Sequence, residues 1–227
     1  MSQLIDIFVD PAKVWAEQKE RPTFLLPALI VMLATALPAM LYFFHVDPEW
    51  FADFQLQALA AQDMSAAEIE QAKAFMPGAR ASAWITGGSM AIFLSIVFAI
   101  MAVYYLLAGK IAGHAVDFRR GLSLATWATM PMLLGALVVL FGIYSSSPQT
   151  SYESLQMLNV DPLLVQLPRE HAWSTLAKSF SLLNLWVWFL AALGWKTWFR
   201  TGWGQAIFVA VLPSVVIYGA MALFAIF

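Results

Sequence analysis

Apolar residues gather into five long blocks along this chain, at residues 23–44, 83–108, 122–144, 176–195 and 203–227, with charges concentrated between them. A hydrocarbon layer about 30 Å thick takes roughly 20 apolar helical residues to cross, so the pattern predicts five transmembrane helices. The intervals between blocks are unequal. Those at 110–120 and 196–202 are short and basic, which predicts hairpins turning at the membrane surface. Those at 46–80 and 145–175 are long enough to hold structure of their own. The hairpin between the second and third blocks is the one around which the other spans must pack.

Shorter periodicities inside the intervals predict amphipathic helices. Asp10 followed by Pro11 is a helix start: a carboxylate caps free N–H groups, then comes a residue with no N–H to satisfy. Around it Leu4, Phe8, Ala12 and Trp15 recur at helical spacing while Lys13, Glu17, Lys19 and Glu20 stay off that stripe. This predicts a helix that lies in the interface or caps the bundle, ended by Arg21-Pro22. Asp47-Pro48 repeats the start, with Phe51, Phe54, Ala58 and Ala61 on one face. Ser65 and Glu68 then form a capping box, and Pro77-Gly78 stops that helix. Another Asp-Pro start stands at Asp161-Pro162.

Within the blocks, Ala83, Gly87, Ala91, Ser95 and Ala99 fall four apart, a ridge of small side chains where a second backbone can come close. Ala206, Ala210 and Ser214 repeat that spacing in the fifth block. Pro27 and Pro38 in the first block and Pro131 in the third deprive the carbonyls of Thr23, Ala34 and Trp127 of their helical donors. With Pro213 in the fifth block, the expected kinks fall at Pro38, Pro131 and Pro213.

Composition removes the soluble alternative. Apolar residues make up 61% of the 227 and charged residues 11%, against roughly 45–50% and about 25% in soluble domains. A soluble fold of this size has nowhere to hide that surface, so the class is an all-α polytopic integral membrane protein with amphipathic interfacial helices. The chain has no cysteine, which excludes disulfides, thiolate metal sites and cysteine nucleophiles. Its amino terminus, MSQLIDIFVD, lacks the basic leader and apolar core of a secretory signal, so the first span is expected to stay as an anchor.

Orientation follows from Lys and Arg. The amino-terminal segment and the two short intervals hold Lys13, Lys19, Arg21, Lys110, Arg119, Arg120, Lys196 and Arg200, while the other side holds Lys73, Arg80, Arg169 and Lys178. Eight cations against four predict a cytoplasmic amino terminus and, with five spans, a carboxyl terminus outside.

Catalytic chemistry is missing. No ionisable residue lies well inside any block; His45 and His171 fall on one side and His114 on the other, so the three cannot share a metal. There is no Gly-rich phosphate loop and no carboxylate pair at catalytic spacing, and Ser89 in its Thr-Gly-Gly-Ser run has no base nearby. The expectation is no enzyme, no cofactor and no metal. Basic residues are also too few and too dispersed for nucleic acid.

What remains is the 110–120 interval. Lys110, Arg119 and Arg120 would be held at the cytoplasmic surface by a helix on each side, with Phe118 as an apolar anchor among headgroups and Gly109 and Gly113 permitting the turn. These four residues, Lys110, Phe118, Arg119 and Arg120, are the candidate site for a lipid or a protein partner; orientation alone would also require the three cations.

Three runs of sequence, IFVDPAKVWAEQKERPTFLLPALIV, LLAGKIAGHAVDFRRGLSLATWATMPMLLG and SLLNLWVWFLAALGW, resemble the Yip-type (Ypt-interacting protein) domain family in its short prokaryotic form. The likeness rests on the F-x-x-P-x-x-x-W segment, the Gly-containing basic link, Trp127 four before Pro131, and Asn184, Leu185 and Trp188 opening the fourth block. It implies a five-span integral membrane protein without known catalysis, whose eukaryotic members are linked to Rab-type GTPases and membrane shaping. The organisation is then residues 1–22 as a cytoplasmic amphipathic segment and 23–227 as a five-span Yip-like domain, in a bacterial inner membrane. The leading function is non-catalytic: organising the membrane, or binding lipids, a membrane or cytosolic protein, or a second copy of the chain. The alternative is a small transporter or lipid-handling permease, supported by the freed carbonyls at the prolines.

Overall fold

The computed structural model describes residues 3–60, 64–168 and 171–226; Ala61, Arg169 and Phe227, used in the readings above, lie outside them. Every regular element among the described residues is helical. Two short helices, α1 (Gln3–Val9) and α2 (Pro11–Glu20), precede α3 (Leu25–His45). Next come α4 (Pro48–Ala60), α5 (Ala66–Phe75), the long α6 (Ala79–Ile111), α7 (Phe118–Ala128) and α8 (Met132–Ser145). A single-turn α9 (Tyr152–Leu155), a π-helical turn (Asp161–Val165) and α10 (Ser174–Ser179) lead into α11 (Leu183–Phe199) and α12 (Trp203–Ile226).

Three helices, α3, α6 and α12, are long and apolar enough to cross a membrane, and a fourth crossing follows if α7 and α8 count as one bent span. The fourth block is interrupted. Its expected start near residue 176 falls in α10, and α11 has 17 residues. Between them Val160 N–H donates to Phe180 O and Leu182 N–H to Leu158 O, both at 2.9 Å. This backbone is satisfied across the loop rather than along a helix, which hydropathy cannot register. Asn184 consequently sits in the first turn of α11, its amide bonded to Tyr218 Oη of α12 at 2.9 Å.

The prolines behave differently from one another. Pro38 and Pro213 lie inside uninterrupted helices. Pro131 does not kink a continuous span: helix α7 ends at Ala128, α8 begins at Met132, and their axes bend by 40°. The Trp127 carbonyl is not orphaned, because Met130 N–H turns back to it at 3.3 Å. The break suits proline, whose ring disfavours helical backbone at the residue before it.

The ridge of small residues divides. Ala83 is fully buried, and a side chain at Gly87 would run into Met40 of α3. Further along, Ala91 and Ala99 are half-buried while Ser95 is exposed, its hydroxyl returned to Ala91 O at 2.8 Å. At 3.6 residues per turn a row spaced by four precesses about 40° per step, so the two ends of this row face different ways. A close backbone approach lies elsewhere. A Cβ on Gly121 of α7 would stand 2.5 Å from the Ala102 oxygen of α6 and 2.8 Å from its Cα.

The expected caps form. Asp10 accepts from Lys13 N–H, Ser65 and Glu68 complete their capping box, and Asp47 accepts from Glu49 and Trp50 N–H. The stripe on the first segment shifts, however, because the break at Asp10 resets the helical face. Ala12 is exposed, and the buried positions are Asp6, Ile7, Val14, Trp15 and Gln18. Helix α2 therefore docks on α11 as part of the main core.

Helix α3 pairs with α6 and α8, α6 with α7, and α11 with α12, while α2 and α7 join α11 to the rest. The larger core, with Trp15, Trp127, Trp195 and Leu124, lies where α2, α7 and α11 meet. A smaller one, built on Tyr42, Val139, Ile143 and Leu155, holds α3 and α8 at the opposite end.

Candidate functional site

The candidate link is shorter and more fully hydrogen-bonded than its sequence implies. Lys110 and Ile111 still belong to α6, and Phe118, Arg119 and Arg120 already belong to α7, leaving only residues 112–117 outside helices. The end of α6 closes with a paired turn: His114 N–H reaches Gly109 O at 2.8 Å and Gly113 N–H reaches Lys110 O at 3.3 Å. Gly113 takes a φ of +74° there, a left-handed conformation that glycine adopts at little cost. Asp117 then caps α7 through Arg120 N–H at 2.7 Å. His114 lies flat on Phe199, ring centres 4.7 Å apart, which pins the link against the end of α11.

The two arginines are partly committed. Arg119 Nε donates to Pro22 O at 3.0 Å, tying the link to the entry of α3, and Arg120 donates to Ala115 O at 3.2 Å. Their remaining N–H groups, with exposed Lys110, are what the surface offers to an anion. Phe118 is 44% exposed and Ile111 89% exposed, so two apolar side chains stand among these cations. Ile111 is absent from the candidate residues read from sequence. Its hydropathy merged with the preceding span, and only the helix end reveals it.

A buried polar hub supports this end of the molecule. Gln18 is fully buried; its Oε1 accepts from Thr23 N–H at 2.7 Å and from the hydroxyls of Thr23 and Ser123, each at 3.1 Å. Its amide donates to Gln3 at 3.0 Å. Trp15, also fully buried, meets Trp198 edge-on at 5.7 Å, and Trp198 Nε1 donates to the Trp15 carbonyl at 2.8 Å. Gly194 of α11 makes room for the Trp15 ring, since a Cβ there would stand 2.9 Å from it. Lys13 bonds Asp6 at 2.8 Å, and that hydrogen bond holds the ammonium above the ordinary lysine range. Only the adjacency of Gln18 to Val14 and Trp15 on one helical face signalled this hub in the sequence.

Lys196, in the other short interval, lies 5.3 Å over the ring of Trp203. Among the described residues no group of three His, Asp or Glu side chains is placed to hold a metal ion. This end of the molecule is a folded platform of helix ends, cations and exposed apolar side chains.

Long apolar helices whose charged residues stand only in their end turns, joined to a polar platform at one end, define an integral membrane protein. The Yip1 domain model matches residues 5–224, and the chain belongs to that family. It is 22% identical over 225 residues to the membrane protein YknW of Bacillus subtilis (strain 168), covering 99% of this chain and 88% of that one. No solved structure matches significantly.

Proposed function

We propose that the protein is a non-catalytic organiser of the membrane whose platform, on the cytoplasmic face of a bacterial inner membrane, binds anionic lipid headgroups. The observation that carries this reading is the alternation, at one helix junction, of exposed Lys110 and Arg119 with exposed Ile111 and Phe118. Apolar side chains inserted among headgroups and cations beside their phosphates add their contributions, each cation giving about 1 kcal/mol near an anionic surface before screening. Membership of the Yip1 family agrees with a protein that works without catalysis.

This reading takes the membrane domain as five spans: α3, α6, the α7–α8 pair, α11 and α12. Helix α11, 17 residues long and therefore roughly 25 Å, is at the short end of what a bilayer accepts. Lys196 at one end and the partly exposed Leu182 and Leu185 at the other fit that placement.

The test is the retained lipid. Detergent-purified wild type is expected to carry phosphatidylglycerol from native membranes, quantified by mass spectrometry, and the Arg119→Lys/Arg120→Lys double variant is expected to lose most of it while keeping its orientation. Equal retention would show that the arginines serve orientation only. A protein retained through the same arginines, without lipid, would replace this reading with partner docking.

A further inference from the structure

At the end of the bundle away from the platform, α8 and α11 part company. Helix α7 packs on α11, but after the 40° break α8 packs on α3 and α9. The divergence opens a cleft of about 320 Å³ between α3, α8 and α11, roofed by the segments that carry Tyr152, Asn159 and Ser181. That volume is at the small end of the roughly 300–1,000 Å³ typical of ligand pockets.

The walls grade from apolar to polar. Met90, Met132, Ala136 and Val139 line one part, and Gln156, Asn159, Ser179 and Asn184 line another, with no charged residue in the lining. Asn184 spends one of its two amide N–H donors on Tyr218 Oη, which leaves the other N–H for a ligand carbonyl, and Ala34, deprived of its helical donor by Pro38, is also in the wall. Thr35 turns its hydroxyl back to Val31 O and Met32 O of its own helix, at 2.9 and 3.1 Å, so it makes no bond across the cleft.

Two chain neighbours of the polar lining are charged. Glu153 follows Tyr152 and Lys178 precedes Ser179, and the two charges pair at 3.1 Å beside a second, polar depression. Around the cleft, Leu37, Leu137 and Leu185 are exposed next to lining residues. In a membrane those exposed side chains touch acyl chains, so the cleft adjoins the lipid itself.

We infer that this cleft takes one acyl chain of a membrane phospholipid, with the ester region at Asn184 and a zwitterionic headgroup exchanging with the Lys178–Glu153 pair. The uncharged lining fits a hydrocarbon tail, the second Asn184 N–H fits an ester carbonyl, and a headgroup holding phosphate and ammonium complements both members of the ion pair. The inference is independent of the platform reading, because it concerns the opposite end of the molecule.

The probe is a phosphatidylethanolamine carrying a diazirine in one acyl chain, present at trace level in phosphatidylethanolamine–phosphatidylglycerol vesicles that hold the full chain. Photolabelling should concentrate on peptides containing Met90, Met132 and Met157. Thr35→Phe, which fills the cleft without removing a bond between helices, should lower that labelling about tenfold, equivalent to roughly 1.4 kcal/mol of binding. Leu137→Phe on the adjoining exposed face should leave it unchanged. Ala136→Phe, filling from the α8 side, is the second variant, used wherever thermal unfolding shows Thr35→Phe to be unfolded. Unlabelled phosphatidylethanolamine should compete, and Lys178→Ala should weaken that competition. Labelling spread evenly over α6 and α12 in wild type, or unchanged in whichever filled variant folds, would overturn the inference. Competition by free oleic acid but not by phosphatidylethanolamine would overturn the assignment of a phospholipid.

Discussion

The indole N–H of Trp127 donates to the carbonyl oxygen of Thr23 at 2.9 Å. That carbonyl needs an outside donor, because the residue four positions on is Pro27, which has no N–H to return along α3. The α3 ladder itself begins one residue on, with Phe24 O taking the Ala28 N–H at 2.9 Å, and a side chain of α7 serves the carbonyl just ahead of it. The same Thr23 gives its own N–H to the buried Gln18, so three segments converge on one residue.

Trp127→Phe is therefore expected to cost about 1–3 kcal/mol, the penalty for leaving a buried acceptor unpaired, beyond any loss from the smaller ring. Thermal unfolding in detergent measures it. In a Pro27→Ala background the new N–H can bond Thr23 O, so Trp127→Phe should cost clearly less there. Equal costs in both backgrounds would mean that the indole bond contributes nothing specific.

The contact between α6 and α7 gives a second expectation. Gly121→Ala places a methyl against the Ala102 backbone, which cannot yield without separating the helices, and overpacking of this kind costs about 1–3 kcal/mol. Ser95→Leu adds more volume but on an exposed face, and the melting temperature should hardly move. A larger loss for Ser95→Leu than for Gly121→Ala would mean that the exposed part of the ridge is an interface in solution or in the membrane.

These two cases show what the sequence made legible. Length, apolarity and caps located most helices, because backbone hydrogen bonding leaves helices as the local solution in lipid. The proline-freed Thr23 carbonyl could be read directly, and so could the position of the basic link. Its donor could not, since Trp127 lies 104 residues away and only packing brings them together. The row from Ala83 to Ala99 pointed to close packing, but a four-residue row precesses, and the true crossing used one glycine against one alanine backbone. Of the candidate site, the cations were visible and their consumption by the Pro22 and Ala115 carbonyls was not. The cleft left no linear trace, as it arises from a bend and a broken block together.

Asp47 sets an acid limit on one connection. Its carboxylate is held below the usual aspartate range by the backbone N–H of Trp50 first, then by the Gln149 amide and the N–H of Glu49. The backbone N–H of Asp47 itself reaches Pro148 O at 3.0 Å, so this residue clasps the α3–α4 turn to the chain after α8. A lowered folded value means that the unfolded chain binds the proton more readily. The clasp is then fully in place above about pH 4, near the unfolded aspartate value, and is lost as pH falls through the lower folded value. Trp50 fluorescence should change over that acid range in wild type. Asp47→Asn, which has no charge to lose, should flatten the change; an unaltered acid transition would place its origin elsewhere.

Orientation and span count can be decided together, because the chain has no cysteine to remove first. Ala115 lies exposed in the link between α6 and α7, and Ser147 lies exposed just past α8. With eight Lys and Arg on the platform side against four opposite, the positive-inside rule puts Ala115 in the cytoplasm and Ser147 outside. In intact cells a membrane-impermeant maleimide should label Ser147→Cys and not Ala115→Cys, and permeabilisation should expose the second. A third site, Gly202→Cys, exposed between α11 and α12 with open space around a side chain there, decides whether the 17-residue α11 crosses. Protection of that site in intact cells, matching Ala115→Cys after permeabilisation, gives five spans. Labelling from outside would mean that α11 stays within one leaflet and that α12 enters from the opposite side.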